Sequence, residues 1–161
     1  MKKLLVLLCL ALLMVGCKAK EPEIIPGMPN PMETRESLDE VNELTHGRIA
    51  KPGVMGITQE GFYTINTEKG LIGEYDFVLN DMGYTIRFSD TIVKEDISGV
   101  WIDGKLAFSD DMSQTRAQGE DLRLARWFTV DGQYVFEAPI SVPEADFENM
   151  VEELSGLTVG E

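Results

Sequence analysis

Three times between Leu71 and Ala138 the sequence sets two short runs of strand-forming residues on either side of a turn signal. This succession of hairpins constrains the fold more than any other feature. In the first, Leu71–Leu79 (LIGEYDFVL) puts Leu71, Tyr75, Phe77 and Leu79 on one face. Asn80-Asp81-Met82-Gly83 supplies the turn, and Tyr84, Ile86 and Phe88 alternate on the return. With Leu79 opposite Tyr84, Asp76 faces Arg87 on the solvent side, a cross-strand ion pair worth roughly 0.2–1 kcal/mol. The second hairpin joins Gly99–Ile102 to Lys105–Ser109 through Asp103-Gly104. The third joins Leu122–Val130 to Gln133–Ala138 through Asp131-Gly132.

The third hairpin is apolar on both faces, with Trp127, Tyr134 and Phe136 on one and Leu124, Phe128, Val130 and Val135 on the other. That pattern predicts a central strand pair covered on both sides. Trp127 and Tyr134 are expected in the core, and the competing reading makes them one wall of a ligand groove. Residues 109–121 are polar and read as a loop.

A helix is expected on each side of the strands. Ser37-Leu38-Asp39-Glu40 is a capping box opening a helix over about 37–46, with Leu38, Val41 and Leu44 on one face and Gly47 at its end. Ser141-Val142-Pro143-Glu144 is a second capping box with an early proline. Phe147, Met150, Val151 and Leu154 follow at helical spacing, and Gly156 closes the element. Its outer face carries Glu144, Asp146, Glu148, Glu152 and Glu153 with no base. The expected class is α+β: an antiparallel sheet of about six or seven strands from successive hairpins, with a short N-terminal and an amphipathic C-terminal helix packed on it.

Ahead of the domain lies an address. Lys2-Lys3 precede a charge-free apolar run, Leu4–Val15, too short to span a bilayer comfortably and of signal-peptide length. It ends at Met14-Val15-Gly16-Cys17, which resembles a bacterial lipobox. The resemblance implies diacylglycerol on the Cys17 thiol, with palmitate among its acyl chains, and cleavage between Gly16 and Cys17. Two or three acyl chains anchor durably where one does not. Residues 1–16 are thus read as signal peptide, 17–35 as lipidated Cys17 with a proline-rich tether, and 36–161 as a single α+β domain. The tether reaches up to roughly 50 Å if extended.

The remaining composition narrows the chemistry. Lys and Arg number 14 and Asp and Glu 28. Losing Lys2 and Lys3 with the signal segment leaves 12 against 28, a formal −16. No nucleic-acid partner is expected, because phosphates need a basic patch. The charge serves solubility, and its sharper reading is a surface for a divalent cation or a basic partner. The cysteines are Cys9 and Cys17. One leaves with the signal and the other carries lipid, so the mature domain has no disulfide, thiol nucleophile or thiolate metal site. The single histidine, His46, sits where it can meet the last carbonyls of the first helix. The sequence contains no nucleophile elbow, Ser-x-x-Lys, P-loop or Gly-x-Gly-x-x-Gly pattern. Ser109-Asp110-Asp111 and Glu120-Asp121 do not match a calcium loop. No catalytic residue, cofactor or metal ligand is therefore assigned.

Asn30-Pro31-Met32, Ser37-Leu38-Asp39-Glu40, Tyr75-Asp76-Phe77 and Asp96-Ile97-Ser98-Gly99 together resemble segments of small lipoproteins of Gram-positive anaerobes, especially gut Clostridia. The likeness covers roughly residues 28–110. The C-terminal hairpin and helix are loosely similar to a domain of unknown function in Gram-positive membrane-tethered sensor proteins. The resemblance implies a lipid anchor on the extracytoplasmic face of a one-membrane cell and an α+β domain, and it brings no activity or catalytic residues. The function expected is a non-enzymatic module binding another envelope protein or peptide. One alternative is a carboxylate-based hydrolase of cell-wall or external polysaccharide, which needs two carboxyl groups in a cleft and one shifted pKa. Another is a sensory or regulatory partner of a membrane complex.

Overall fold

The computed structural model describes residues 31–92, 95–99 and 115–158. The strands are β1 (Met32–Thr34), β2 (Ile57–Thr67), β3 (Gly70–Leu79), β4 (Met82–Ser89), β5 (Thr115–Gln118), β6 (Leu122–Phe128) and β7 (Gln133–Pro139). The helices are α1 (Leu38–Thr45) and α2 (Glu144–Thr158). All seven strands form one sheet in the order β1-β2-β3-β4-β7-β6-β5, and every neighbouring pair is antiparallel. Two three-stranded meanders, β2-β3-β4 and β5-β6-β7, are joined edge to edge by β4 and β7. The α+β expectation is met.

Alternation along the strands sends one set of side chains to each face. On the first face Tyr75, Phe77, Tyr84, Ile86, Phe88, Trp127, Tyr134 and Phe136 form the main core, and both helices cover it. From α1 come Leu38 and Val41, and from α2 Phe147, Met150, Val151 and Leu154. The rings of Phe62, Tyr75, Phe77, Tyr84, Phe136 and Phe147 stack in an unbroken series at 5.0–6.0 Å between centroids. Sheet and helix surfaces are thereby locked through aromatic contacts rather than aliphatic ones alone. α1 sits close because β3 has a glycine beneath it: a Cβ on Gly73 would lie 2.8 Å from Val41 Cγ1.

Several local expectations are corrected. The first hairpin turns at Asn80-Asp81 alone, both with positive φ (52° and 61°), so Leu79 pairs with Met82 and not with Tyr84. Asn and Asp tolerate this left-handed conformation, which a two-residue hairpin loop of matching twist requires. The register moves by two residues, so Asp76 meets Thr85 and Arg87 meets Glu74. The third hairpin closes through four residues, with Phe128 paired to Gln133, and Val130 stands fully exposed at its tip. Thr115–Gln118, inside the segment read as a loop, is edge strand β5. Met32–Thr34, inside the segment read as tether, is edge strand β1. β2 carries few buried side chains and so lacks a clean alternation in sequence.

The helix ends also differ from expectation. Ser37 Oγ accepts from Glu40 N–H (3.2 Å), while the Glu40 carboxylate reaches the N–H of Glu36 and not of Ser37. His46, not Gly47, takes the left-handed position that ends α1 (φ 53°). Gly47 is needed for room instead, because a Cβ there would collide with the Phe88 ring. At α2 the Ser141 hydroxyl points to Met82 Sδ (3.8 Å) rather than forming the expected capping box. The helix continues through Gly156 to Thr158, whose Oγ1 accepts from Trp127 Nε1 (2.9 Å). That tertiary bond holds the last turn past the glycine. The signal segment, Cys17, most of the tether and the Asp103-Gly104 hairpin lie outside the described residues.

Candidate functional site

The second face of the sheet holds the chemistry. Glu74 on β3, Arg87 on β4 and Glu137 on β7 project from three adjacent strands to the same side. Arg87 Nε donates to Glu74 Oε2 (2.5 Å) and its Nη1 to Glu137 Oε1 (2.7 Å). Both carboxylates are buried, Glu74 to 2% and Glu137 to 8% exposure. Each would be costly to hold as an unpaired ion. One guanidinium serves two acids, so burial wins part of the contest. Desolvation pushes Glu137 up to about 7 despite Arg87, and Glu74 and Asp96 push in the same direction. Burial raises Glu74 as well, against Arg87 and with Asp76 reinforcing. Arg87 keeps its charge, since the two glutamates outweigh its own desolvation. Beside the cluster Thr85 Oγ1 donates to Asp76 Oδ1 (2.6 Å).

A loop covers this cluster from the far side. Asp96 Oδ1 accepts from Arg126 Nη2 (3.3 Å), and Arg126 is fully buried. Ser98 N–H and Oγ both donate to the Asp96 carboxylate at 2.9 Å. Gly99 has φ +70° and stands so close that a Cβ there would lie 3.3 Å from Arg87 Nη1. Gln133 Nε2 ties the loop down by donating to the carbonyls of Ile92 and Glu95, each at 2.9 Å. Ile92 and Ile97 add a second apolar cluster with Ile72, Leu124 and Val135. The Asp96-Ile97-Ser98-Gly99 stretch singled out in the sequence is therefore the part of the chain that roofs the buried ions.

Trp127 and Tyr134 are not at a groove. They are 3% and 0% exposed, lie opposite each other on β6 and β7, and stack at 5.4 Å between centroids. The Tyr134 hydroxyl accepts from Arg48 N–H (3.2 Å). Their positions suit packing, and the groove reading is withdrawn. His46 is exposed, with Nδ1 3.1 Å from Asp90 Oδ2. Among the described residues no three His, Cys, Asp or Glu side chains gather as metal ligands, and no helix is long and apolar enough to cross a membrane.

A cleft lies elsewhere, between the β3–β4 turn and the first turns of α2. It measures about 280 Å³, with Leu79, Met82, Val142 and Met150 in its floor and Asp146 and Glu153 at its rim. Sequence reasoning missed both features. Arg126 and Glu137 carry a signal: each is a charge inside a hairpin apolar on both faces, where only a partner from another strand makes burial tolerable, whereas Glu74 shares its face with Asp76 and reads as solvated. The cleft carries none, because it depends on how α2 docks beside a turn 65 residues earlier in the chain.

Compared with known proteins, the chain matches no family model, no curated protein and no solved structure. Its class is set by its own geometry: an α+β domain with one seven-stranded antiparallel sheet, helices over one face, and a roofed buried ion cluster on the other.

Proposed function

We propose that this chain is a lipoprotein anchored by acylated Cys17 on the extracytoplasmic face of the cell membrane, and that its domain is a binding module rather than a catalyst. The lipobox-like Met14–Cys17 and the short apolar run before it support the anchor. The observation that carries the second half is that Arg87 holds both Glu74 and Glu137. The two carboxylates best placed for acid–base chemistry are bonded to one cation and buried, which suits a rigid scaffold. Feeding cells an alkyne palmitate and fractionating them tests the anchor. Labelled protein in the membrane fraction, lost on Cys17→Ser, is expected. Unlabelled soluble protein would sink it.

One observation favours the hydrolase reading: Glu137 is pushed up to about 7 beside a second carboxyl group, the signature of a general acid. Release of reducing ends from purified cell wall separates the two. A hydrolase loses roughly 10²–10⁴-fold on Glu137→Gln. A binding module releases nothing with either protein.

A further inference from the structure

The domain already shows how it holds a cation. Lys51 Nζ lies 5.1 Å from the Phe62 ring centroid and 5.8 Å from that of Tyr75, and pairs with Glu60 Oε1 at 2.7 Å. The same Glu60 oxygen accepts from the Tyr75 hydroxyl (2.7 Å), and the bonds from Lys51 and Tyr75 hold the Glu60 carboxyl below its usual range. A long aliphatic stem lies over apolar surface while its ammonium meets a carboxylate, which is how lysine side chains settle at interfaces.

The cleft beside α2 offers the same arrangement without a basic residue among its lining. Its floor is Leu79, Met82, Val142 and Met150, and Tyr84 stands close enough to Asp146 for that carboxylate to reinforce the rise in the tyrosine's pKa that burial causes. At the edge of the cleft, one Glu153 oxygen accepts from Gly53 N–H (2.5 Å), which holds that carboxylate in place. Asp146 is exposed and has no ion pair among the described residues. The volume of about 280 Å³ lies just under the roughly 300–1,000 Å³ of small-molecule sites, so it fits one side chain better than a cofactor. Beside it the exposed face of α2 adds Glu152, in a mature chain of formal charge −16.

We propose that this cleft is the docking point for a partner polypeptide, which inserts a lysine side chain flanked by apolar residues. The stem packs on Leu79, Met82, Val142 and Met150, and the ammonium meets Asp146 and Glu153. This names the partner chemistry of the binding module proposed above and rests on that reading. Surface charge alone would attract any cation weakly, whereas the apolar floor selects one carried on a long stem.

Met82 and Met150 make the site directly readable. The mature full-length protein, in detergent micelles and labelled with ¹³C at its methionine methyls, is titrated with acetyl-Ala-Leu-Lys-Leu-Ala-amide and with the same peptide carrying glutamate for lysine. The lysine peptide is expected to move the Met82 and Met150 signals and leave Met55, which is 96% exposed, in place. The glutamate peptide should move none of them. Asp146→Asn should weaken binding about three- to fivefold at low salt, as for a partly exposed ion pair. It should narrow the preference for lysine, and 1 M salt should do the same. Unchanged signals elsewhere in the variant spectrum will show that it folds. Equal shifts with both peptides, or silence at Met82 and Met150, would overturn the cleft. Shifts confined to Met32 or Met55 would overturn it too while leaving a binding module with its surface elsewhere, and loss of palmitate labelling would strike the anchored module independently.

Discussion

Acidifying the protein from pH 8 to pH 5 should stabilise it. The cause is Glu137. Its carboxyl has an ordinary value of 4.5 and rises to about 7 in the fold, chiefly because burial penalises the charged form. Between those two values the native state holds a proton that the unfolded chain has released. Stability therefore falls as pH rises through this window. The contribution is fully present below 4.5 and is lost as pH climbs through 7. The separation corresponds to roughly 3 kcal/mol, of which about 2–3 falls between pH 8 and pH 5. Glu74, also raised by burial, adds in the same direction. Glu60 and Glu148 are lowered by their bonds to Lys51 and Arg116, so they titrate beneath the window. With a urea m-value of about 1–3 kcal/mol/M the denaturation midpoint should move up by about 1 M or more on acidification. Glu137→Gln mimics the protonated acid, and it should remove most of that slope. A wild-type midpoint that is flat, or that falls between pH 8 and pH 5, would refute the reasoning, because Glu137 would then be ionised in the fold throughout. So would a Glu137→Gln variant that retains the whole slope.

Three further outcomes follow from the packing. Arg87→Met strands two buried carboxylates and should cost about 3–5 kcal/mol at pH 8, with a smaller loss at pH 5 where both can protonate, read by urea unfolding at the two pH values. Trp127→Ala should cost about 3–5 kcal/mol, since it empties a core position stacked on Tyr134 and breaks the bond to Thr158. Under the groove reading the same change would be nearly neutral. Gly73→Ala should cost about 1–3 kcal/mol in the same assay, because the added methyl would press on Val41 and lift α1 from β3.

The parts of the fold legible in sequence are those fixed by neighbours in the chain. β3, β4, β6 and β7 announce themselves by alternation. The two helices do so by helical spacing and, at α1, by the Ser37 cap. β2 was silent because Gln59, Glu60 and Gly61 interrupt its pattern, and Glu60 serves Lys51 and Tyr75 rather than solvent alone. β5 was silent because Thr-Arg-Ala-Gln becomes a strand only by pairing with β6, and Arg116 is held by Glu148 from α2. Gly156 misled because a contact distant in sequence, between Trp127 and Thr158, decides where α2 stops.

The register of β3 and β4 shows why a small local error hides a site. A slip of one residue would have turned every side chain to the other face and betrayed itself in the hydrophobic pattern. A slip of two leaves each side chain on its proper face, so the pattern fits both registers equally well. Only cross-strand partners change. In the four-residue-turn register, Arg87 meets Asp76 in an ordinary exposed ion pair. In the actual one, Asp76 bonds to Thr85, and Arg87 stands between Glu74 on β3 and Glu137 on β7. That exchange converts a surface pair into a buried cluster with too few positive charges. The pairing of Arg87 with Glu74 follows from two left-handed residues at one turn. The turn also sets where Leu79 and Met82 meet α2, so the same two residues shape the cleft to which the lysine of a partner is assigned.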